Sequence, residues 1–413
     1  MNRAADAPWY RHVALSLSTL AAVGSTTVHM GVPFLIPALV KSGYSLATAG
    51  FIASMPAAGI VATLIAWGWF VDRFGERAAI SLGLGLTALT TAVAAIAAQH
   101  GAAALAVSLF IAGCAAASVN SASGRVVSGW YPPHQRGAAM GIRQTAQPLG
   151  AALSAAVLPV LAANFGIQVA LASAAGLCAA LAVTCLVGII DPPRPSTGSP
   201  DHNAAAQNPY RGDGRLPYLV RIHLASALLS WPQSMMGAMF LVWLIERGYP
   251  PAQAGLIVMC AQLGGAVSRA ALGFLSDRVR SRIRPYRWVA TGTAVLCLCV
   301  AALDYLALNT AATAVMMALS IAAVSHNGLA FTAVAEYCGP LWSGRGLGTQ
   351  NTFQNIVYAS TPALAGLVVT SAGFPALFLL SAAFPAVSVL VSPRADKRRT
   401  RSVRRKAQPS PRP

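Results

Sequence analysis

Residues 81–99 carry no charged side chain. Helical, such a run reaches about 30 Å, the thickness of a bilayer's hydrocarbon core. Runs of this kind recur along all 413 residues. A water-soluble chain has to interrupt its apolar stretches with charge. Here 56% of residues are hydrophobic and 10% charged, against about 25% charged in a soluble domain. Lipid offers the backbone no hydrogen-bond partner, so each run must close its own bonds as a helix. A barrel would show segments of about ten alternating residues instead. The chain is therefore read as an all-α membrane protein.

Charges, prolines and glycines cut it into twelve apolar segments: 13–38, 47–70, 78–98, 102–129, 137–163 and 167–190, then 218–245, 253–275, 287–306, 310–336, 346–370 and 373–392. Between the sixes lies 191–217, rich in Pro, Gly, Asn and Ser, the composition of a flexible linker. The division expected is a bundle over 1–190, a linker over 191–217, a second bundle over 218–392 and a basic tail over 393–413. Arginines gather in alternate loops, at Arg3 and Arg11, Arg73 and Arg77, Arg136, Arg194 to Arg215, Arg278 to Arg287, and Arg345, whereas the other loops hold only Lys41 and Arg247. By the positive-inside bias both termini and the linker face the cytoplasm, and a bacterial inner membrane is expected.

The net charge of +18 does not indicate a nucleic-acid partner. Nine of the 29 basic residues lie in 394–413, where they can meet anionic lipid headgroups, and most others occupy the gaps between spans. The seven cysteines sit in or beside apolar runs, and no pair with a nearby histidine completes a metal set. No cofactor is expected: "GLGLG" at 83–87 falls inside a span, without the strand a dinucleotide loop needs.

The charged loops repeat. Asp72, Arg73, Glu76 and Arg77 crowd together after Gly68, and at an offset of 205 Gly273, Asp277 and Arg278 keep the same spacing. Each set ends the second span of its half, as in a parallel repeat of two six-helix bundles related by an axis along the membrane normal. Gly68, Asp72, Arg73, Gly75 and Arg77 resemble the loop signature between helices 2 and 3 of the major facilitator superfamily. Glu76 departs from it, where the family has a basic residue, and Arg280 replaces the second glycine of the second copy. The resemblance covers roughly 12–392. It implies the major facilitator fold and secondary transport by alternating access. It also implies a latch that holds the outward-open state: Gly68 would admit a neighbouring helix, and Asp72 would accept from a helix N-terminus in the facing bundle. A second echo sets Arg136 and Gly137 over Arg345 and Gly346. By the same resemblance Arg136, Arg269, Asp277, Arg278, Glu336 and Arg345 belong with Arg73 and Arg77 in the gating charges. Glu336 has proton carriage as its second reading.

Charges inside a span are costly and point to function. Arg125 in span 4 and Arg143 in span 5 fall at similar depth with no acid on either helix. A guanidinium grips a carboxylate with a fixed fork, so these two are substrate candidates; pairing with the loop charges is the other reading, and Arg125 could also reach the interface. His29 and His326 could carry a proton or simply pack. Gln350, Gln354 and Tyr358 fall on one stripe of span 11 and, with Asn120, Gln147, Trp231 and Gln233, outline a polar cavity, which the resemblance centres on helices 1, 4, 7 and 10. Asp304 and Glu246, at span ends, are expected at the wet face. The stretch 124–150 resembles the helix 4–5 region of bacterial carriers of small anions, including the cyanate and nitrate/nitrite groups. The function expected is proton-coupled symport of a small organic anion, a carboxylate, by a monomer. The alternative, proton-driven efflux of a drug or metabolite, calls for an acid in span 1, 4 or 5, and none is there. A receptor on this fold would need a signalling domain, and no constellation of catalytic residues points to an enzyme.

Overall fold

The computed structural model describes residues 9–131, 136–192, 209–210 and 217–397. Nearly all of these are helical. Six apolar helices form the first half: span 1 Tyr10–Lys41, span 2 Leu46–Val71, span 3 Glu76–Ala97, span 4 Ala102–Val127, span 5 Gly141–Phe165 and span 6 Ile167–Gly188. The second half holds span 7 Tyr218–Glu246, span 8 Pro251–Val279, span 9 Ile283–Tyr305, span 10 Asn309–Cys338 and a final stretch, Arg345–Val391. That stretch has 47 residues, about 70 Å of helix, more than twice the hydrocarbon thickness. It turns at Gly373, whose φ of 79° only glycine adopts readily. Phe374 meets Arg247 at one end of span 7, and the Val391 carbonyl accepts from Arg221 at the other. The stretch therefore crosses twice, as spans 11 and 12. Most of the linker expected at 191–217, and the tail beyond 397, lie outside the described residues.

Local chemistry sets several breaks. Span 1 stops its first helix at His29 and continues through a 3-10 turn, Val32–Leu35. Span 5 is interrupted at Thr145, between helices Arg136–Gln144 and Ala146–Phe165. Pro148 lies three residues beyond. It has no N–H to offer the Gln144 carbonyl four residues back, which leaves that acceptor free.

The internal repeat extends to hydrogen bonds. The Asp191 carboxylate, at the end of span 6, accepts the Arg77 backbone N–H at 2.7 Å. At the same offset of 205, Asp396 after span 12 accepts the Arg282 N–H at 2.9 Å, together with the Ile283 N–H at 3.3 Å and the Ser281 hydroxyl. Each aspartate thus caps the helix that follows its half's charged loop. Gly75 and Arg280 also correspond, and both have positive φ, 98° and 53°. The second copy has lost its glycine and keeps the positive φ in another form: Gly75 has ψ 168°, which only glycine adopts readily, whereas Arg280 has ψ 33°, the left-handed helical region open to other residues at a cost.

The halves meet on the face opposite the arginine-rich loops. A Cβ at Gly50 in span 2 would collide with the Pro362 carbonyl in span 11, and one at Gly255 in span 8 with the Ala155 carbonyl in span 5. The Ala363 N–H bonds to the Ser54 hydroxyl at 3.2 Å. One apolar core runs through both halves here, from Phe34, Ile36 and Ile52 to Met239, Phe240 and Trp243. Toward the arginine-rich face each half keeps its own core. Asp304, expected at the wet face, is instead buried, held by the Trp243 indole at 2.9 Å and by Arg247. Glu246 is exposed, as expected.

Arg280→Gly relieves a left-handed non-glycine residue and should stabilise the protein by up to about 1 kcal/mol. Gly75→Ala, which meets both positive φ and the Asp191 carboxylate, should destabilise it by more than about 1 kcal/mol. Thermal unfolding of the detergent-solubilised chain reads both, and equal midpoints for the two variants would refute the strain assigned to positive φ at these positions.

Candidate functional site

Where the shared core ends, a cavity opens between the halves, lined by residues about midway along the spans. Its walls differ. Spans 1 and 2 contribute mainly apolar groups, Met30, Pro33, Phe34, Ala53 and Ala57, with His29 at the edge. Spans 5, 7, 8 and 11 contribute Gln147, Gln233, Ser234, Gln262, Arg269, Asn355 and Tyr358.

Arg269 is the charged residue of this lining, and it is 8% exposed. Its Nε donates to the Val324 carbonyl at 2.9 Å, Nη1 to the Gln144 carbonyl at 3.1 Å and Nη2 to the Gln147 Oε1 at 3.2 Å. The Gln144 carbonyl is the acceptor that Pro148 leaves free. All three partners are neutral, and two come from the opposite half. A guanidinium has five N–H groups. Two remain after these bonds, one on each terminal nitrogen, and a carboxylate can accept from both. Gln262, two turns earlier on span 8, shares this wall; it is 6% exposed, and its side chain makes no hydrogen bond among the described residues.

The histidines separate. His29 Nδ1 lies 2.9 Å from the Ser25 carbonyl and so donates to it, leaving Nε2 as the ring's acceptor at the cavity. His326 is fully buried, its Nδ1 donating to the Ala323 carbonyl at 2.8 Å and its ring edge-on to Tyr286, away from the lining. A third, His223 in span 7, escaped the sequence reading. It stands between the Gln350 Oε1 at 2.6 Å and the Tyr210 hydroxyl at 3.0 Å.

Of the other candidates, Gln147, Gln233 and Tyr358 line the cavity. Gln354 lies behind it, its amide donating to Asn327 at 2.8 Å and to Ser226 at 2.7 Å; Asn327 in turn donates to Gln233 at 3.1 Å. Gln350 is committed to His223. Trp231 points the other way, bonding Ser381 at 3.0 Å and stacking on Phe384 with centroids 4.3 Å apart. It is two residues from Gln233, about 200° around the helix, so the two cannot share a face. Asn120 is half-buried on span 4 and absent from the lining. Arg143 turns into span 4, where Nη1 donates to the Ser123 hydroxyl at 2.7 Å. Arg125 is half-exposed and lies 3.8 Å from Glu76.

The gating candidates cluster at the arginine-rich face. Arg282, the repeat partner of Arg77 and missing from the sequence-based set, is the hub of the second half. It meets Asp277 at 2.5 Å and Glu336 at 2.9 Å, and also bonds Ser276. Burial works against its charge, but these carboxylates outweigh that and hold its pKa above the ordinary value. Arg77 donates from Nε to the Leu186 carbonyl at 2.8 Å. Arg73, Arg278 and Arg345 are exposed, Arg345 lying over Trp342. Gly68 and Gly273 face open space, where an added Cβ would meet nothing within 4 Å, so the close approach expected at Gly68 is not made in this conformation. The side chains of Asp72 and Arg136 lie outside the described residues.

Residues 15–362 match the model of the Major Facilitator Superfamily. An uncharacterised MFS-type transporter of Mycobacterium tuberculosis is 44% identical over 92% of this chain and 84% of its own length. A probable galactarate/D-glucarate transporter of Bacillus subtilis is 23% identical over 74% of each chain. The crystal structure of a bacterial homologue of the human lysosomal transporter Spinster, inward-facing and unoccupied, superposes with a TM-score of 0.76 at 15% identity, covering 92% of this chain and 96% of that one.

Trp231→Phe removes a hydrogen bond between spans 7 and 12 and should cost about 1 kcal/mol of stability, leaving the KM for transported substrate unchanged. Gln262→Ala should raise KM severalfold at unchanged stability. Thermal unfolding and uptake kinetics on both variants check the assignment, and the reverse pattern would put Trp231 in the cavity.

Proposed function

The chain belongs to the major facilitator superfamily, and from that premise we propose that it is a proton-coupled symporter of a small organic anion, a carboxylate. The observation that carries this reading is Arg269: a buried cation facing the cavity, held by neutral acceptors, with one N–H spare on each terminal nitrogen. An uncompensated charge in a low-dielectric site is costly, and an anionic substrate supplies the missing partner. The Bacillus relative, by its name a carrier of sugar diacids, supports an anion of this general kind. Proton-driven efflux is less well supported, because no carboxylate lines the cavity among the described residues.

In this reading the protein works as a monomer in a bacterial cytoplasmic membrane, with both termini and the arginine-rich face in the cytoplasm. The bundles over 1–190 and 218–392 rock about the cavity, joined by the linker at 191–217. The closed contacts then lie on the outer side, and the conformation is open to the cytoplasm. The clusters of Arg77 with Asp191 and of Arg282 with Asp277, Glu336 and Asp396 are the parts that rearrange when that side closes. His29, the imidazole at the cavity, is the proton-coupling group.

Reconstituted into liposomes, the protein should exchange a carboxylate by counterflow. Arg269→Gln should abolish exchange, and Arg269→Lys, which keeps the charge but loses the fork, should weaken it at least about tenfold. His29→Gln should retain exchange but lose accumulation driven by an inward proton gradient. Transport of lipophilic cations, unaffected by Arg269→Gln, would overturn the reading in favour of efflux.

A further inference from the structure

The charge count of the cavity narrows the substrate beyond "anion". At the repeat offset of 205, the span 2 positions matching Gln262 and Arg269 are Ala57 and Leu64. Ala57 lines the cavity opposite, amid Met30, Phe34 and Ala53. The repeat has therefore diverged into a polar wall with one guanidinium and an apolar wall with none. Arg143, half-buried in span 5, is turned onto Ser123 in span 4 and is absent from the lining. A substrate held by Arg269 thus extends toward Gln233, Gln262 and Asn355 on one side and toward the alanines and Phe34 on the other. Neither direction offers a second permanent cation; His29, beside Met30 and Phe34, donates from Nδ1 to the Ser25 carbonyl and carries a charge only while it holds the transported proton.

We infer that the cavity selects monocarboxylates with a largely apolar body and rejects dicarboxylates. The inference rests on the anion reading above and specifies its substrate. A first carboxylate neutralises Arg269. A second would be desolvated against amides or apolar carbon, a burial that costs far more than a hydrogen bond to neutral groups returns. The apolar wall adds a graded preference, because each methylene laid on it leaves water favourably, whereas each hydroxyl facing it loses its water without a partner.

The test is competition in counterflow by the full chain in liposomes at pH 7.5, using two pairs matched in length: hexanoate with adipate, and gluconate with glucarate. The monoacid of each pair should compete at a concentration at least about tenfold lower than its diacid. Hexanoate should compete better than gluconate. Diacids that compete as well as or better than monoacids at pH 7.5 would overturn the inference while leaving the anion carrier intact. If Arg143→Gln then abolished only diacid competition, the second carboxylate would be assigned to Arg143. Failure of all four acids to compete, combined with cation transport insensitive to Arg269→Gln, would remove the anion reading itself.

Discussion

A polar group inside the bilayer must find its hydrogen bonds within the protein, and the internal order of this molecule follows from that condition. It makes every crossing a helix. It also explains why the interruption of span 5 and the charge of span 8 occur at one place. Pro148 deprives the Gln144 carbonyl of its helical donor, and Arg269 needs acceptors at the same depth. Each deficit satisfies the other across the boundary between the halves. The bond joins the two halves at the cavity, so on the alternating-access reading a rocking of one half against the other has to break or transfer it.

The repeat supplies a symmetric frame for an asymmetric site. Asp191 and Asp396 accept the backbone N–H of Arg77 and of Arg282 at matched positions, and Gly75 and Arg280 before them both have positive φ. These belong to the loops, where the mechanical demand on both halves is the same. Inside the membrane the match ends: Ala57 faces Gln262 across the cavity, and Leu64 corresponds to Arg269. Selection for a substrate acts on the lining alone, so the lining diverges while the ends keep their chemistry. The tight glycine contacts at Gly50 and Gly255, against open space at Gly68 and Gly273, show which end of the frame is engaged in this conformation.

The fold was legible because lipid penalises every departure from an apolar helix, and the breaks stand out as charge, proline and glycine. Mid-span polar residues were legible as a set for the same reason, and Gln147, Gln233, Tyr358 and His29 do face the cavity. Which way each one points was harder to read. Trp231 and Gln233 are equally deep, yet opposite faces of span 7 send one to span 12 and the other to the cavity. Arg269 read as a gating charge of span 8 because it stands one turn before Gly273; its burial depends on acceptors in span 5, more than a hundred residues away. The signals that would have placed it were the seven-residue spacing to Gln262, which sets both on one face, and the gap left by Pro148. Arg282 could have been found from Arg77 by the same offset that aligned the aspartates.

The neutral ring around Arg269 also bears on the empty carrier. On the symport reading the carrier must return without substrate, and a bare guanidinium sealed from water would oppose that step. Two carbonyls and an amide oxygen leave the charge intact while spreading part of its solvation over fixed dipoles. A carboxylate partner from the protein would ease the return further, but it would compete with an anionic substrate for the same fork. Neutral acceptors avoid that competition. They hold three of the five donors, keep the guanidinium aimed, and leave the remaining pair to the ligand. On the anion reading, the absence of an acid beside Arg269 among the described residues is therefore what lets one residue serve both the loaded and the empty half of the cycle.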